Sequence, residues 1–267
     1  MSKEKPKLHL EINPARLAEI IGSAVFSSTE VVKLHLNSLS DENLNRPLEG
    51  TGVLYNFKGP NLSLDQRRAM HESWILAKAF QELLRAVRHA LEEAHVVVAL
   101  VTKEHKIRSN DTLGDFLMPF QRKAAGLPFP DLLEAVNGLL DQKLEFAESY
   151  KSLQAARNCL EHRAGIVTNI ETKGGAEFAL SIPRLKIFYM RGSDEIEVAA
   201  GERVDPGDER AEVEILMKIE IERRTVRKGD RLSFTPKEFN EIAFACFRLG
   251  QQLASRLPKP KLNTGTT

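Results

Sequence analysis

Residues 142–170, QKLEFAESYKSLQAARNCLEHRAGIVTNI, carry the change of period that decides the fold. From Gln142 to His162 the apolar residues Leu144, Phe146, Ala147, Tyr150, Leu153, Ala156 and Leu160 recur at helical spacing. Gly165 follows as the expected C-cap. Beyond it the period falls from 3.6 to 2. Ile166-Val167-Thr168-Asn169-Ile170 and Leu185-Lys186-Ile187-Phe188-Tyr189 read as strands, separated by Gly174-Gly175 and Pro183.

On the C-terminal side, Val213, Ile215, Met217, Ile219 and Ile221 alternate with mostly charged residues, predicting one half-buried strand. Gly229-Asp230 is a turn signal. Thr235-Pro236-Lys237-Glu238 combines an N-cap, Pro at N1 and Glu at N3, and starts a last helix that runs through Phe239, Ile242, Cys246 and Leu253 to Pro258. On the N-terminal side, Ser63-Leu64-Asp65-Gln66 has the form of a capping box. Trp74, Phe80, Leu84, Val87, Leu91, Ala94, Val98 and Val101 then mark a long amphipathic helix, with Ala94 the place for a break. Asn110 to Pro130, with Gly114, Pro119, Gly126, Pro128 and Pro130, reads as a breaker-rich connection, followed by a short helix over Asp131–Leu140. Before residue 63, His9–Ile12 admits a short strand, Pro14 to Val25 has helical spacing, and Ser38–Gly59 reads as a loop.

The expected class is α+β: a helical bundle over residues 63–167, then a β-rich segment and C-terminal helix over 168–257. Residues 1–62 form an N-terminal extension and 258–267 a flexible tail. The 267 residues suffice for one large domain or two smaller ones. Thirty-eight basic against 37 acidic residues leave a formal charge of +1, so contact with nucleic acid requires a local patch rather than a global field. The most apolar run, Val96–Val101, is far shorter than the ~20 residues that cross a bilayer. The N-terminal dozen residues lack an apolar signal-peptide core, and the two cysteines, Cys159 and Cys246, do not form a secreted disulfide framework. A cytoplasmic protein without a membrane partner is the expectation.

The chemically loaded segment is Arg157-Asn158-Cys159-Leu160-Glu161-His162. Asn158 and His162 are four apart and share a helix face. Arg157 is offset from His162 by roughly 40% of a turn, within reach of its long side chain. The patch offers a planar cation suited to phosphate, an orienting amide and an imidazole that titrates near neutrality. Those parts suit RNA cleavage without a metal: the imidazole moves a proton and the guanidinium stabilises charge on the phosphoryl oxygens.

The segment ARNCLEHRAGIV, residues 156–167, resembles the signature of the HEPN superfamily (higher eukaryotes and prokaryotes nucleotide-binding), in which Arg is followed by a polar residue and, after a short gap, by His. Arg157, Asn158 and His162 match, with three residues between Asn and His. The likeness covers residues 63–167 as helical architecture. It implies a four-helix bundle, a homodimer with facing motif helices and metal-independent endoribonuclease activity, with Arg157, Asn158 and His162 catalytic and Arg163 contacting RNA. It also implies a stress or antiviral-defence role, with an antitoxin or defence-system protein as partner. No cofactor is implied. Other members are non-catalytic scaffolds, which is the alternative here. The N-terminal extension and the β-rich insertion depart from a minimal member.

Ordinary readings stand beside these. Arg157 can pair with Glu161 at i+4, and His162 can sit at a helix C-terminus for its dipole. Cys159 suits core filling better than nucleophilic chemistry. His71, His89, His95 and His105 form no i, i+4 pair, and no HExxH is present, so no metal site is expected. Lys78, Arg85, Arg88 and His89 with Arg122-Lys123 form either an RNA track or a solvated face. The basic run Glu222–Lys228 either touches phosphate or solubilises a turn.

Overall fold

A computed structural model of the chain describes residues 12–45, 59–102, 112–198, 201, 202, 204 and 213–259. The elements in chain order are α1 (Ala15–Asn37), α2 (Asp41–Asn45), α3 (Leu64–Thr102), α4 (Leu113–Gly126), α5 (Phe129–Asn137), α6 (Ala147–His162), α7 (Asn169–Thr172), β1 (Glu177–Arg191), β2 (Asp194–Glu197), β3 (Leu216–Arg227) and α8 (Pro236–Arg256). The class is α+β, with a three-stranded antiparallel sheet between α7 and α8 in chain order. Among the described residues no helix is long and apolar enough to cross a membrane.

The chain forms two compact units. One comprises residues 1–22, 86–145 and 248–267; the other comprises 23–85 and 146–247. In the first, Leu91, Val98, Leu132, Leu133 and Leu249 are fully buried. Gly250 allows close helix approach: a Cβ there would come within 3.3 Å of Ala18 Cα and Ile21 Cβ. Arg88 bonds Glu92 at 2.8 Å and donates to the carbonyls of Ala125 and Leu127, closing the C-terminus of α4. Glu145 accepts from Arg248 at 2.6 Å and Arg256 at 2.8 Å, which hold its carboxyl below the usual range.

In the second unit, α6 packs against β1, whose Phe178, Leu180 and Ile182 are buried. The buried Tyr150 hydroxyl donates to the Ala245 carbonyl at 2.9 Å, tying α6 to α8. β1 is central, in the order β2-β1-β3, with Arg184 opposite Glu220 and Phe188 opposite Leu216. A two-residue Gly192-Ser193 turn joins β1 to β2, with Gly192 at φ 64°.

Several expectations hold. Ser63 and Gln66 cap α3 reciprocally, at 2.9 and 3.2 Å, as do Thr235 and Glu238 for α8. α1 follows the Leu17–Val25 spacing. The long helix expected after Ser63 is present as α3, but the break placed near Ala94 is absent: the helix runs on through that buried residue.

Others are corrected. The connection over 110–130 contains helix α4, because Thr112 and Asp115 form a capping box strong enough to seat a helix with Pro119 inside it. The short helix is Phe129–Asn137, begun by the Pro128–Pro130 prolines, and α6 starts at Ala147 after Phe146, which is left-handed at φ 58°. Residues 166–170 are not a strand. Ile166 makes a single bridge to Arg231, and Thr168 with Glu171 caps α7. Pro183 lies inside β1 rather than before it. β2 pairs with Phe188–Arg191, so among the described residues the strand has one neighbour at Pro183 and can dispense with an N–H there. β3 begins at Leu216 and takes in most of the basic run. Trp74 is not core: it is 58% exposed, while Ile75 and Leu76 are buried. Of the loop expected over Ser38–Gly59, Asp41–Asn45 is helical and residues 46–58 lie outside the described residues; of the strand expected at His9–Ile12, only Ile12 is described.

The polar centre of the sheet is Arg184, buried and held by Glu197 at 2.5 and 2.8 Å, Glu220 at 2.5 Å and Glu222 at 3.3 Å. Hydrogen bonding to Glu197 raises its pKa, so it stays charged. Arg184→Met leaves those carboxylates facing one another. Because they are partly solvated, the expected loss is on the order of 2–3 kcal/mol rather than the full cost of breaking a buried pair. Urea unfolding measures it, and an unchanged midpoint would remove Arg184 from this role.

Candidate functional site

The site is built at the C-terminal end of α6, in the second unit. The helix stops because two successive residues take left-handed conformations, Ala164 at φ 51° and Gly165 at φ 81°. The Gly165 N–H turns back to the Cys159 carbonyl at 3.0 Å. The chain then runs alongside residues 229–232 as a short strap. Leu232 N–H donates to the Gly165 carbonyl at 2.8 Å, Val167 N–H to Asp230 at 3.0 Å, and Gly229 N–H to Val167 at 2.9 Å. Arg231 adds a side-chain bond, Nη1 to the Ala164 carbonyl at 3.0 Å.

The expected residues fall into two groups. Arg157, Asn158 and His162 come together on one surface, and Glu161 links them. Arg157 Nη2 lies 2.6 Å from Glu161 Oε2, and His162 Nε2 lies 3.8 Å from the same oxygen. Arg157 Nη1 also reaches Asn158 Oδ1 at 3.4 Å, and Gln154 Nε2 donates to that oxygen at 2.9 Å. The Arg157 side chain is 19% exposed and that of His162 62%. The cation is thus fixed and compensated, while the imidazole faces solvent. The i+4 pair that the spacing allows for Arg157 is formed.

Arg163 belongs to the other group. Its guanidinium pairs with Glu171, whose side chain is almost wholly buried. Burial alone would push the Glu171 carboxyl up, but hydrogen bonds from the Thr168 backbone and hydroxyl and from Arg163 outweigh it and hold it below the usual range. Arg163 therefore anchors α7 to the end of α6. Cys159, fully buried beside this pair, has its thiol pushed up by burial and by Glu171, and fills the core. Burial raises the Cys246 thiol to about 12.

Helical spacing puts Arg157, Leu160 and Glu161 on one side of α6, and Ala164 follows in the turn beyond it. Leu160 and Ala164 line a groove of about 460 Å³ whose other wall is the α3 stripe Met70, Ser73, Trp74, Ala77, Lys78 and Gln81, closed by Arg231 and Leu232. Of the expected basic stripe, Arg85 pairs with Glu82 at 2.7 Å as on a solvated face, Arg88 is engaged by Glu92 and the end of α4, and Lys78 lines the groove. In the basic run, Arg224 is engaged by Glu238 at 2.8 Å and by the Ser233 carbonyl, while Arg227 is largely exposed. His35 and His71 face each other with ring centroids 5.7 Å apart, and burial, then His71, lowers the His35 pKa.

Three contributors escape a reading of the sequence. Glu161 figures there only as a helix pair, Arg231 carries no local signal, and Glu171 is announced only by Thr168 three residues earlier. Comparison of the chain with family models, with curated proteins and with solved structures finds no match. The site is therefore argued from its own residues.

Two substitutions test the strap. A Cβ at Gly165 would meet the Leu232 carbonyl at 3.1 Å in a left-handed conformation, so Gly165→Ala is expected to cost about 1–3 kcal/mol in chemical denaturation. Glu171→Gln leaves Arg163 without its counter-charge and is expected to cost on the order of 1–3 kcal/mol at pH 7. The depressed carboxyl stabilises the fold above its unfolded pKa and ceases to do so as pH falls through its folded value. The deficit of the Gln variant should therefore narrow below about pH 4. A deficit independent of pH would refute the ion-pair role.

Proposed function

We propose that the chain is a metal-independent endoribonuclease of the HEPN type, acting on RNA as a homodimer at the C-terminal end of α6. The observation that supports this is the gathering of Arg157, Asn158 and exposed His162 on one surface, with Glu161 between cation and imidazole. An imidazole takes the proton of a 2′-hydroxyl, whose oxygen attacks the adjacent phosphorus. The bond to the 5′-oxygen breaks and that oxygen takes up a proton, leaving a 2′,3′-cyclic phosphate and a 5′-hydroxyl. One imidazole cannot serve both proton steps at once, so a second copy of the chain supplies the other His162. Arg157 stabilises the phosphoryl oxygens by exchanging Glu161 for phosphate, and Asn158 steadies its guanidinium. Arg163, the expected RNA contact, is paired with Glu171 at the same helix end. A role in stress or antiviral defence, held in check by an antitoxin or defence-system protein, extends the same reading.

One feature favours a second reading, a HEPN-like dimeric scaffold that binds nucleic acid or a protein without chemistry. Arg157 is only 19% exposed and already charge-compensated, which suits a structural pair.

Cleavage of labelled cellular RNAs in excess chelator separates the two. His162→Ala is expected to lower the rate by about 10²–10⁴-fold. Arg157→Ala is expected to lower it by about 10²–10³-fold. Glu161→Gln, which frees Arg157, is expected to tighten RNA binding. Cleavage by both alanine variants at the parent rate would end the nuclease reading. RNA binding without cleavage by the parent would establish the scaffold.

A further inference from the structure

The groove beside the α6 terminus has a composition that the motif does not explain. Met70, Ser73, Trp74, Ala77, Lys78 and Gln81 are spaced i, i+3, i+4, i+7, i+8 and i+11 along α3, one helical stripe. Such a stripe would ordinarily be covered, yet Trp74 is 58% and Met70 50% exposed. The opposite wall is apolar Leu160, Ala164 and Leu232, so the indole faces an open slot rather than bulk solvent alone. Among the described residues, the groove's charged lining is Lys78 and Arg231, with no carboxylate. Arg231 is shared with a second cavity of about 440 Å³, where Arg224, Arg227, Thr225 and Ser233 face Glu177 and Asp230. The two cavities thus meet at Arg231. The strap at Gly165 places Arg231 at that junction by its bond to the Ala164 carbonyl.

We infer that this groove is a single-stranded RNA subsite in which a base stacks on Trp74 while Lys78 and Arg231 hold the flanking phosphates. The charge complementarity names the occupant: an aromatic face between cations, without carboxylates, suits a base within a phosphodiester chain better than an apolar peptide or lipid. Stacking on an indole tolerates any base, so the subsite grips the strand without choosing sequence. Duplex RNA, whose bases are already stacked, does not enter it. Leu160 is three residues after Arg157 on the same side of α6, so a strand in the groove leads toward the Arg157–His162 surface. This inference rests on the RNA reading of that surface.

Trp74 is the only tryptophan in the chain, so its emission reports on this groove alone. The His162→Ala chain, in which cleavage is prevented, is titrated with a mixed-sequence 12-nucleotide single-stranded RNA. Binding is followed in parallel by the anisotropy of an end-labelled copy. Saturable quenching of Trp74 emission is expected, with the same midpoint as the anisotropy change. Trp74→Leu should raise Kd roughly 5- to 100-fold and Trp74→Phe much less. Arg231→Ala should weaken binding and reduce the salt slope by about 0.7. Because Trp74 lies at the surface, circular dichroism of its variants should match that of the parent. Anisotropy binding with unchanged Trp74 emission and an unaffected Trp74→Leu variant would overturn the subsite while leaving the RNA reading intact. Failure of the RNA to bind by either measure would overturn both. Quenching by an equivalent duplex as strong as by the single strand would also overturn the stacking role.

Discussion

Everything at the α6 terminus depends on the two left-handed residues Ala164 and Gly165. They end the helix within one residue of His162 and turn the chain so that residues 165–167 can bond to residues 229–232. That strap connects elements more than sixty residues apart in sequence and brings Arg231 to the end of the helix. A Cβ at Gly165 would crowd, at 3.1 Å, the carbonyl of the Leu232 it bonds to. The same turn sends Thr168 onward to cap α7, which lets Glu171 reach back to Arg163. Surface and support are therefore one construction, in which Arg163, paired with the buried Glu171, holds the end of α6 while His162 lies exposed beside the Arg157–Glu161 pair.

The helices with reciprocal caps were the most legible part of the fold, because a capping box is written within four consecutive residues. Ser63–Gln66 and Thr235–Glu238 are of this kind. Thr112–Asp115 and Thr168–Glu171 are the same device, but prolines and glycines obscured the first and a β-branched run the second. A strand reading of Ile166–Ile170 fails because the local cap outweighs β propensity there. Trp74 was misplaced for a geometric reason. It is six residues from Phe80, which is 240° around a helix, so the two cannot share a face, while Leu76 and Phe80 can. β2 is four mostly charged residues and owes its existence to its partner strand.

At the candidate site, the residues themselves were legible and their state was not. Arg157, Asn158 and His162 are close because helical spacing makes them so. That Glu161 compensates the guanidinium, and that Arg163 faces inward to a buried carboxylate eight residues on, follows from the turn and the packing. The consequence is chemical. A guanidinium already paired at 2.6 Å binds phosphate only by displacing its partner, so Glu161 sets a threshold that the substrate must overcome. The displaced carboxylate would then be free to act on His162, 3.8 Å away. On the proposed reading, RNA binding and the readiness of the imidazole would be coupled through this one side chain.

On the proposed reading, RNA is broken at this surface by attack of the RNA's own 2′-hydroxyl on the adjacent phosphorus. The most direct measurement is the chemistry of the new ends formed when the purified chain cuts RNA in excess chelator. Ends bearing 2′,3′-cyclic phosphate and 5′-hydroxyl, absent with the His162→Ala chain, are the predicted result. New ends bearing 3′-hydroxyl and 5′-phosphate, or identical ends with the His162→Ala chain, would contradict it.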